Sequence, residues 1–163
     1  MAITAKDLTY TESSPYQLEV TQEIAASKDL VFDALMDAPG WRRWFRDCLS
    51  CEWTTPAPYG VGSEREIRLK LVTATERILA ADPGERFAFT LIAVSKPLAK
   101  AMLQDFRLSD AGNGKTRIDW TMHYEPSALA RAIHPILRAV FKSMLTKSLR
   151  TLETRIERKR TGR

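Results

Sequence analysis

The stretch PSALARAIHPILRAVFKSMLTKSLRTLETRIER, residues 126–158, decides the fold. Apolar residues recur in it at helical spacing from Ile133 to Ile156, whereas most of residues 50–124 alternates between apolar and polar as strands do. A helix with such an apolar stripe must bury it, and a sheet is the only large partner that the sequence offers. We therefore predict one long C-terminal helix on a curved sheet, with the space between them as a candidate pocket.

Pro135 refines where this helix begins. A proline inside a helix removes a hydrogen bond and clashes one turn back, but it is tolerated in the first turn. Residues 127–133 are therefore predicted to form a short lead-in, and the long helix is predicted to run from Pro135 to Arg158. That helix is roughly 36 Å long. A ten-residue strand spans about 33 Å, so we expect the helix to lie along the whole length of the strands.

The rest of the chain predicts a seven-stranded antiparallel meander with two short helices after its first strand. Short turns such as 82–84 and 110–114 separate the strands, which favours antiparallel neighbours. Ser27 has the position of an N-cap for the first short helix, and the second is predicted over 41–47. The predicted strands are 16–24, 49–54, 64–71, 73–81, 87–93, 101–108 and 117–124.

Composition indicates one domain and excludes several classes of protein. The chain has 163 residues, which is enough for one substantial core, and it has no apolar run of the roughly 20 residues that span a bilayer. No export signal is visible at the N-terminus, so a cytoplasmic protein is expected. Cys48 and Cys51 have a C-x-x-C spacing, but no second ligand pair accompanies them, and reduced structural thiols are predicted rather than a metal site.

The net charge of +5 is concentrated in the last helix and its tail. Residues 126–163 hold ten bases and two acids, whereas residues 1–125 hold fifteen bases and eighteen acids. A basic helix face attracts anionic surfaces, but a solvated outer face gives the same pattern. We therefore expect no nucleic-acid partner, and at most a weak contact of this helix with an anionic surface.

Five motifs resemble one known superfamily in their order and spacing. They are IAASKDLVFDAL at 24–35, WRRWF at 41–45, GVGS at 60–63, DPGERF at 82–87 and GKTRIDW at 114–120. The chain resembles the START-like / Bet v 1-like (SRPBCC) superfamily, in particular its bacterial polyketide cyclase/dehydrase and lipid-transport branch. The resemblance covers residues 17–156.

The resemblance implies an α+β helix-grip fold, in which a curved antiparallel sheet wraps around the C-terminal helix. It also implies a deep cavity for apolar or amphipathic ligands, but no single reaction, since this fold carries binders, transporters, cyclases and hydrolases. We expect a flexible leader over 1–15, one ligand-binding domain over 16–158 and a basic tail over 159–163. No cofactor is expected, and the protein is predicted to be a monomer or a homodimer.

Apolar side chains that alternate inward are the candidate ligand contacts, because aromatic and methionine side chains offer large, adaptable surfaces. The same residues would also be needed simply to fill a core, and the sequence does not separate the two roles. The predicted ligand-binding residues are Trp44, Trp53, Ile67, Leu69, Phe87, Phe89, Leu91, Phe106, Trp120, Met122, Val140 and Met144.

Polar candidates for catalysis are few. Arg65, Glu76 and Tyr124 are the main ones. Tyr124 is expected to bond a ligand carbonyl, Arg65 to lie at the mouth of the pocket with its stem over apolar surface, and Glu76, if buried, to act as an acid or base. Gln104 is a weaker candidate, and His123 is predicted to point outward. A non-catalytic binder or carrier of a hydrophobic small molecule is the favoured function. The alternative is a polyketide aromatase/cyclase that uses Arg65, Glu76 or Tyr124 in the same cavity.

Overall fold

The computed structural model describes residues 3–162, and a seven-stranded antiparallel sheet forms its frame. The strands are β1 (Tyr16–Ile24), β2 (Cys48–Trp53), β3 (Glu64–Leu69), β4 (Thr73–Asp82), β5 (Arg86–Val94), β6 (Ala99–Gly112) and β7 (Lys115–Pro126). Their order across the sheet is β1-β7-β6-β5-β4-β3-β2. Strands β2 to β7 thus follow one another as the predicted meander, and β1 pairs with β7.

The C-terminal helix, its short lead-in and the first short helix after β1 lie where the sequence predicts them, whereas a further short helix lies in the segment that was expected to be a flexible leader. The helices are α1 (Tyr10–Ser13), α2 (Lys28–Met36), α3 (Ala128–Arg131), α4 (His134–Thr161) and a 3-10 helix (Ala38–Arg43). The Ser27 hydroxyl accepts a hydrogen bond from the Leu30 N–H, as an N-cap does. The α+β helix-grip fold is confirmed. Among the described residues, no helix has the length and apolar character that a membrane span requires.

The second short helix differs from the prediction. It was expected over 41–47, but it is a 3-10 helix that ends at Arg43, and Asp47 has the left-handed φ of 60°. Pro39 and Gly40 lie inside its first turn, where bonds between residues three apart, such as Gly40 N–H to Asp37 O, replace α-helical ones. The segment is therefore a compact connection that turns Trp41 into the core.

Helix α4 packs on the sheet with only part of its length. Its fully buried residues begin at Leu145 and continue through Leu149 and Leu152 to Ile156. The first half of the helix also lies along the strands, since His134 and Arg138 are bonded to β7 and β1, but none of its side chains is fully buried there. At 3.6 residues per turn, Val140 lies roughly opposite Leu149 and is exposed. The first half of α4 stands over the sheet and leaves a space beneath it.

Strands β5 and β6 separate at one end of the sheet, and the N-terminal segment fills the gap. Their paired residues run only as far as Thr90 and Leu103. Beyond this point the Thr4 N–H donates to the Lys100 carbonyl at 2.8 Å, and the Lys6 N–H donates to Thr90 Oγ1 at 3.0 Å. The Ile3 side chain is buried in the main core, so it completes the wall of the sheet here.

The N-terminal segment continues across the outer face of the sheet. Tyr10 is buried against Ala101 and Leu103, and Ser14 Oγ lies 2.9 Å from His123 Nδ1. His123 points outward as predicted, but this segment covers it. The leader was expected to be loose, whereas Ile3 and Tyr10 give it apolar anchors on the sheet. The division of the chain at residues 15 and 158 stays a prediction.

Candidate functional site

A cavity of about 110 Å³ lies between the inner face of the sheet and the first half of α4. Its walls are mostly apolar, with Glu76, Gln104 and Lys96 as the polar exceptions. The remaining lining side chains are Ile3, Trp41, Phe45, Ile67, Leu69, Val72, Ala74, Phe89, Leu91, Val94, Leu98, Ala99, Met102, Trp120, Met122, Phe141 and Met144. An apolar hollow with a few polar groups is the usual form of a small-molecule site.

Two features of the sequence open this cavity. Small side chains, Ala74 on β4 and Ala99 on β6, leave room on the sheet. Phe141 and Met144, both half-buried, form its roof on the part of α4 that stands away from the strands. Met144 also lines a groove on the outside of the helix, so this one side chain separates the cavity from the surface. A methionine is flexible enough to change rotamer at such a place.

Arg65 and Glu76 form a buried ion pair beside the cavity. They are direct partners in the register of β3 and β4, and Arg65 Nε donates to Glu76 Oε2 at 2.6 Å. Arg65 Nη1 donates to the Leu35 carbonyl at 3.4 Å. Arg65 Nη2 is buried and has no hydrogen-bond partner among the described residues. The pair therefore keeps one unused donor in an apolar environment, where such a group is costly unless a partner is supplied.

Aromatic rings hold the Arg65 guanidinium in place. Its central carbon lies 4.2 Å from the centre of the Trp41 ring, 5.0 Å from that of Phe89 and 5.2 Å from that of Phe87. A cation over an aromatic face is attracted to the ring, and more strongly where water is excluded. The rings thus compensate part of the cost of burying this charge.

Glu76 is one of the residues that line the cavity, whereas Arg65 is not. Burial raises the pKa of Glu76 above its usual value of 4.5, and the nearby Arg65 guanidinium opposes this shift. A carboxyl group with a raised pKa is suited to exchange a proton with a bound molecule. The site can therefore accept a hydrogen bond from a ligand and can hold or release a proton at this carboxyl.

The side-chain amide of Gln104 is a hydrogen-bond donor in the cavity wall, and its orientation is fixed by Trp120. The Trp120 indole N–H donates to Gln104 Oε1 at 2.7 Å, and because indole nitrogen only donates, the amide oxygen must face Trp120. Gln104 Nε2 then has Met102 Sδ at 3.5 Å, a weak acceptor. Its second N–H is available to a molecule in the cavity.

Seven of the twelve predicted ligand-binding residues line the cavity. They are Ile67, Leu69, Phe89, Leu91, Trp120, Met122 and Met144. Five do not line it, and their places in the structure differ from one another. Phe87 and Phe106 lie in the packed aromatic core, and Trp53 stacks on Tyr59 at 4.4 Å. Trp44 lines a separate groove between α2 and α4, and Val140 is exposed on the outer side of α4.

Tyr124 does not join Arg65 and Glu76. Its hydroxyl oxygen lies 2.7 Å from His134 Nε2 at the start of α4, and its ring stacks on that of Tyr16 at 5.7 Å. Arg138 adds a long contact of 3.5 Å to the same hydroxyl. Tyr124 therefore anchors the beginning of α4 to the sheet.

Sequence reasoning missed several of the lining residues. Trp41 was recognised only as part of a motif, Phe45 was predicted to turn inward but not to contact a ligand, and Phe141 was recognised only as part of the helical stripe. The inward position of Trp41 could have been predicted from its spacing, because it lies three and four residues before Trp44 and Phe45, and the three rings contact one another. Ala74 and Ala99 carry no such signal, because a small residue reveals a hollow only when its neighbours are known.

The two cysteines lie beside this site but form no metal centre. No group of three or more potential ligands occurs in the described part of the chain, residues 3–162. Burial raises the pKa of Cys48 to about 11 and that of Cys51 to about 12. Both are free thiols in the structure, Cys48 half-buried and Cys51 buried.

The comparisons with known proteins place this geometry in a family. Residues 16–157 match the family described as polyketide cyclase / dehydrase and lipid transport. The chain belongs to this family. An uncharacterized protein of Mycobacterium tuberculosis is 29% identical over 146 residues, which cover 89% of this chain and 87% of that protein.

Solved structures share the fold at low sequence identity. The Zhui aromatase/cyclase from Streptomyces sp. R1128 superimposes with a TM-score of 0.76 at 19% identity, covering 88% of this chain and 94% of that one. A START superfamily protein from Mycobacterium smegmatis gives a TM-score of 0.74 at 15% identity, covering 87% and 97%. The family match confirms the predicted polyketide cyclase/dehydrase and lipid-transport branch. The solved structures confirm the helix-grip fold.

Proposed function

We propose that this protein binds a hydrophobic or amphipathic small molecule in the cavity beneath α4, and carries it. The observation that supports this most is the cavity itself, which is apolar on nearly all sides and has Glu76 and Gln104 as isolated polar contacts. Family membership agrees with it. The protein is proposed to work in the cytoplasm, as a monomer or a homodimer.

The size of the cavity adds a condition to this proposal. Its volume is about 110 Å³, whereas an engineered cavity of about 150 Å³ holds one benzene. A lipid or a polyketide chain therefore requires the first half of α4 to move away from the sheet. The half-buried side chains of Phe141 and Met144 oppose that movement, as do the hydrogen bonds of His134 and Arg138 to the sheet. The fully buried residues of α4 begin at Leu145 and can stay in place.

Ligand extraction tests the proposal directly. The purified protein is denatured and extracted, and the extract is analysed by mass spectrometry. The native protein is screened in parallel by thermal shift against fatty acids, phospholipids and aromatic polyketides. A ligand at a hundredfold excess over its Kd stabilises the fold by about 3 kcal/mol. No extracted compound, together with no shift by any apolar compound, would count decisively against the proposal.

A blocked cavity supplies the matched variant. Ala74→Phe places an aromatic ring into the hollow, whereas Val61→Phe adds the same ring at an exposed position in the loop between β2 and β3. Binding is expected to vanish in Ala74→Phe and to persist in Val61→Phe. If Ala74→Phe folds with its thermal transition intact and binds as the wild type does, the ligand lies elsewhere.

A second candidate function is an aromatase/cyclase that acts on a polyketide in the same cavity. It is favoured by one specific observation, the Glu76 carboxyl that lines the cavity next to Arg65. In an intramolecular aldol condensation this carboxylate accepts a proton from the carbon between two carbonyls, that carbon attacks a third carbonyl, and the resulting alkoxide takes the proton back from the carboxyl. The carboxylate then removes the second proton of the same carbon and passes it to the departing hydroxyl, so that water leaves and a C=C bond forms. A synthetic poly-β-ketone thioester is the test substrate. Glu76→Gln is expected to bind it without ring formation, and equal ring formation with and without protein removes this candidate.

A further inference from the structure

Exposed apolar side chains gather at one end of the molecule, where the cavity opens. Leu71 in the turn between β3 and β4 and Leu129 on α3 are each 76% exposed, and Ile136 on α4 is 66% exposed. Leu98, between β5 and β6, and Ile133, before α4, are exposed as well. We call these five residues the apolar rim.

Hydrogen bonds show that the segments bearing the rim are neighbours. Thr73 and Ser95 exchange hydrogen bonds of 2.9 Å, which tie the β3–β4 turn to the β5–β6 turn. Ser127, the N-cap of α3, donates from its hydroxyl to the Pro97 carbonyl at 2.6 Å and from its N–H to the Leu98 carbonyl at 3.2 Å. The β3–β4 turn, the β5–β6 turn and the segment from α3 to the start of α4 thus lie next to one another, and each carries exposed apolar side chains.

The rim is also the mouth of the cavity. Leu98 belongs to the rim and also lines the cavity. Lys96 and Val72, which lie at the same end of the molecule, line the cavity as well. Because a large exposed apolar patch is uncommon on a soluble protein, its coincidence with a cavity mouth marks an interaction surface.

Bases accompany the rim. Lys70 precedes Leu71, Lys96 lies two residues before Leu98, and Arg131 lies between Leu129 and Ile133. The acids at this end are Asp47, paired with Lys70 at 3.2 Å, and Glu125, which lies 3.7 Å from Lys100 and 3.8 Å from Arg131. These four bases outnumber the two acids, so the surface as a whole is positive.

We propose that the apolar rim docks on an anionic lipid bilayer. Separate apolar tips that project from turns suit insertion between lipid headgroups, and flanking bases are attracted to anionic lipids. The proposal rests on the proposed function in one respect, since an apolar cargo dissolves in a bilayer and a mouth held there takes it up without exposure to water. The basic end of α4, residues 155–162, lies at the other end and is not part of this surface.

Vesicle binding of the full chain tests the docking. The protein is sedimented with vesicles of phosphatidylcholine alone and with vesicles of equal parts phosphatidylcholine and phosphatidylglycerol. We expect binding to the mixed vesicles that weakens as salt is raised. In the triple variant Leu71→Ser/Leu129→Ser/Ile136→Ser the partition coefficient is expected to fall by about tenfold or more, since insertion depends on buried apolar area. All three residues are exposed, so the fold is retained.

Matched controls locate the surface. Val61→Ser/Leu30→Ser removes exposed apolar groups at the opposite end and is expected to bind as the wild type does. Lys96→Glu/Arg131→Glu is expected to abolish binding, whereas Arg158→Glu/Lys159→Glu at the far end of α4 is not. Equal binding by the rim triple variant and its control overturns the docking proposal. So does loss of binding in the tail variant alone, or a preference for duplex DNA over vesicles.

Two further outcomes are distinguishable. Light scattering tests whether the rim joins two copies of the chain. If it shows a dimer for the wild type and a monomer for the triple variant, and if neither protein binds vesicles, then the rim is a contact between two copies and the docking proposal is wrong. Ligand binding in the cavity is measured on the same variants by thermal shift. Intact cavity binding without vesicle binding overturns only the docking, whereas vesicle binding without cavity binding overturns only the proposed function.

Discussion

Arg65 Nε lies 2.6 Å from Glu76 Oε2, both side chains are buried, and the Arg65 guanidinium lies against the aromatic rings of Trp41 and Phe89. The two residues face each other across adjacent strands, so one backbone register fixes their separation. This pair puts an ionisable carboxyl at the wall of an otherwise apolar cavity.

The pair predicts a strong coupling between its two members. Removing one partner from a buried ion pair leaves an uncompensated charge, so Glu76→Leu is expected to lower the free energy of unfolding by about 3–5 kcal/mol. Arg65→Met/Glu76→Leu removes both charges and is expected to recover much of this loss. Urea denaturation of the wild type, both single variants and the double variant measures the coupling. Additive losses would show that the two side chains do not stabilise each other.

His123 predicts an acid sensitivity of the outer face. Burial lowers the pKa of His123 from its ordinary value of 6.5, although the nearby Asp105 carboxylate opposes this shift. The unfolded chain therefore binds a proton before the folded protein does, and stability decreases as the pH falls from 6.5 through the lowered pKa. His123→Gln is expected to flatten this dependence in denaturation curves recorded across that range.

Two controls accompany the histidine experiment. Above pH 7 the wild type and His123→Gln should share the same slope of stability against pH, since His123 is neutral in both states there. Ser14→Ala removes the hydroxyl that lies 2.9 Å from His123 Nδ1 and should leave the pH dependence in place. An unchanged slope in His123→Gln below pH 6.5 would show that another group carries the effect.

The cysteines are predicted to be unreactive in the native state. The pKa of Cys48 is about 11 and that of Cys51 about 12, against an ordinary 9.0, because burial disfavours the thiolate. Iodoacetamide at neutral pH is expected to label both thiols only after urea is added, with mass spectrometry as the measure. Above pH 9 the unfolded chain loses these protons first, so stability is expected to fall as the pH rises from 9. Native labelling at the unfolded rate would contradict the burial of these thiols.

Tyr10 predicts how firmly the N-terminal segment is attached. Tyr10→Ala removes the ring that packs on Ala101 and Leu103, and truncating a buried aromatic residue costs about 3–5 kcal/mol in a core. The segment is expected to detach locally, with faster hydrogen exchange at the Thr4 and Lys6 amides. Tyr10→Phe is the control, because the Tyr10 hydroxyl is buried without a hydrogen-bond partner among the described residues. It should leave exchange unchanged.

The parts of the fold that follow from local periodicity were predictable from the sequence. Alternation located the strands, and the spacing from Leu145 to Ile156 located the half of α4 that packs. Strand alternation also predicts that Glu76 points inward, because Ala74 and Ile78, two residues before and after it, are both buried. Without a reliable phase for β4, this carboxyl remained ambiguous.

The parts that depend on distant segments were not predictable. Val140 fits the helical stripe, but it is exposed. The contact between Tyr124 and His134 fixes where α4 begins on the sheet, and the side chains of α4 become fully buried only from Leu145 onward. The packing of the N-terminal segment depends on the gap between β5 and β6, which is a property of the sheet and not of residues 1–15. A cavity is likewise a relation among segments, as Ala74 and Ala99 illustrate.

Ile3, in the N-terminal segment, forms part of the wall of the cavity. Any ligand that displaces Ile3 must also loosen the hydrogen bonds of Thr4 and Lys6, and the two equilibria are then linked by one coupling free energy. The linkage acts in both directions. If a ligand changes the equilibrium constant for attachment of the N-terminal segment by some factor, then detaching that segment, through a partner, a modification or an added peptide, changes the affinity for the ligand by the same factor. An affinity tag is therefore better placed at the C-terminus, away from this linkage.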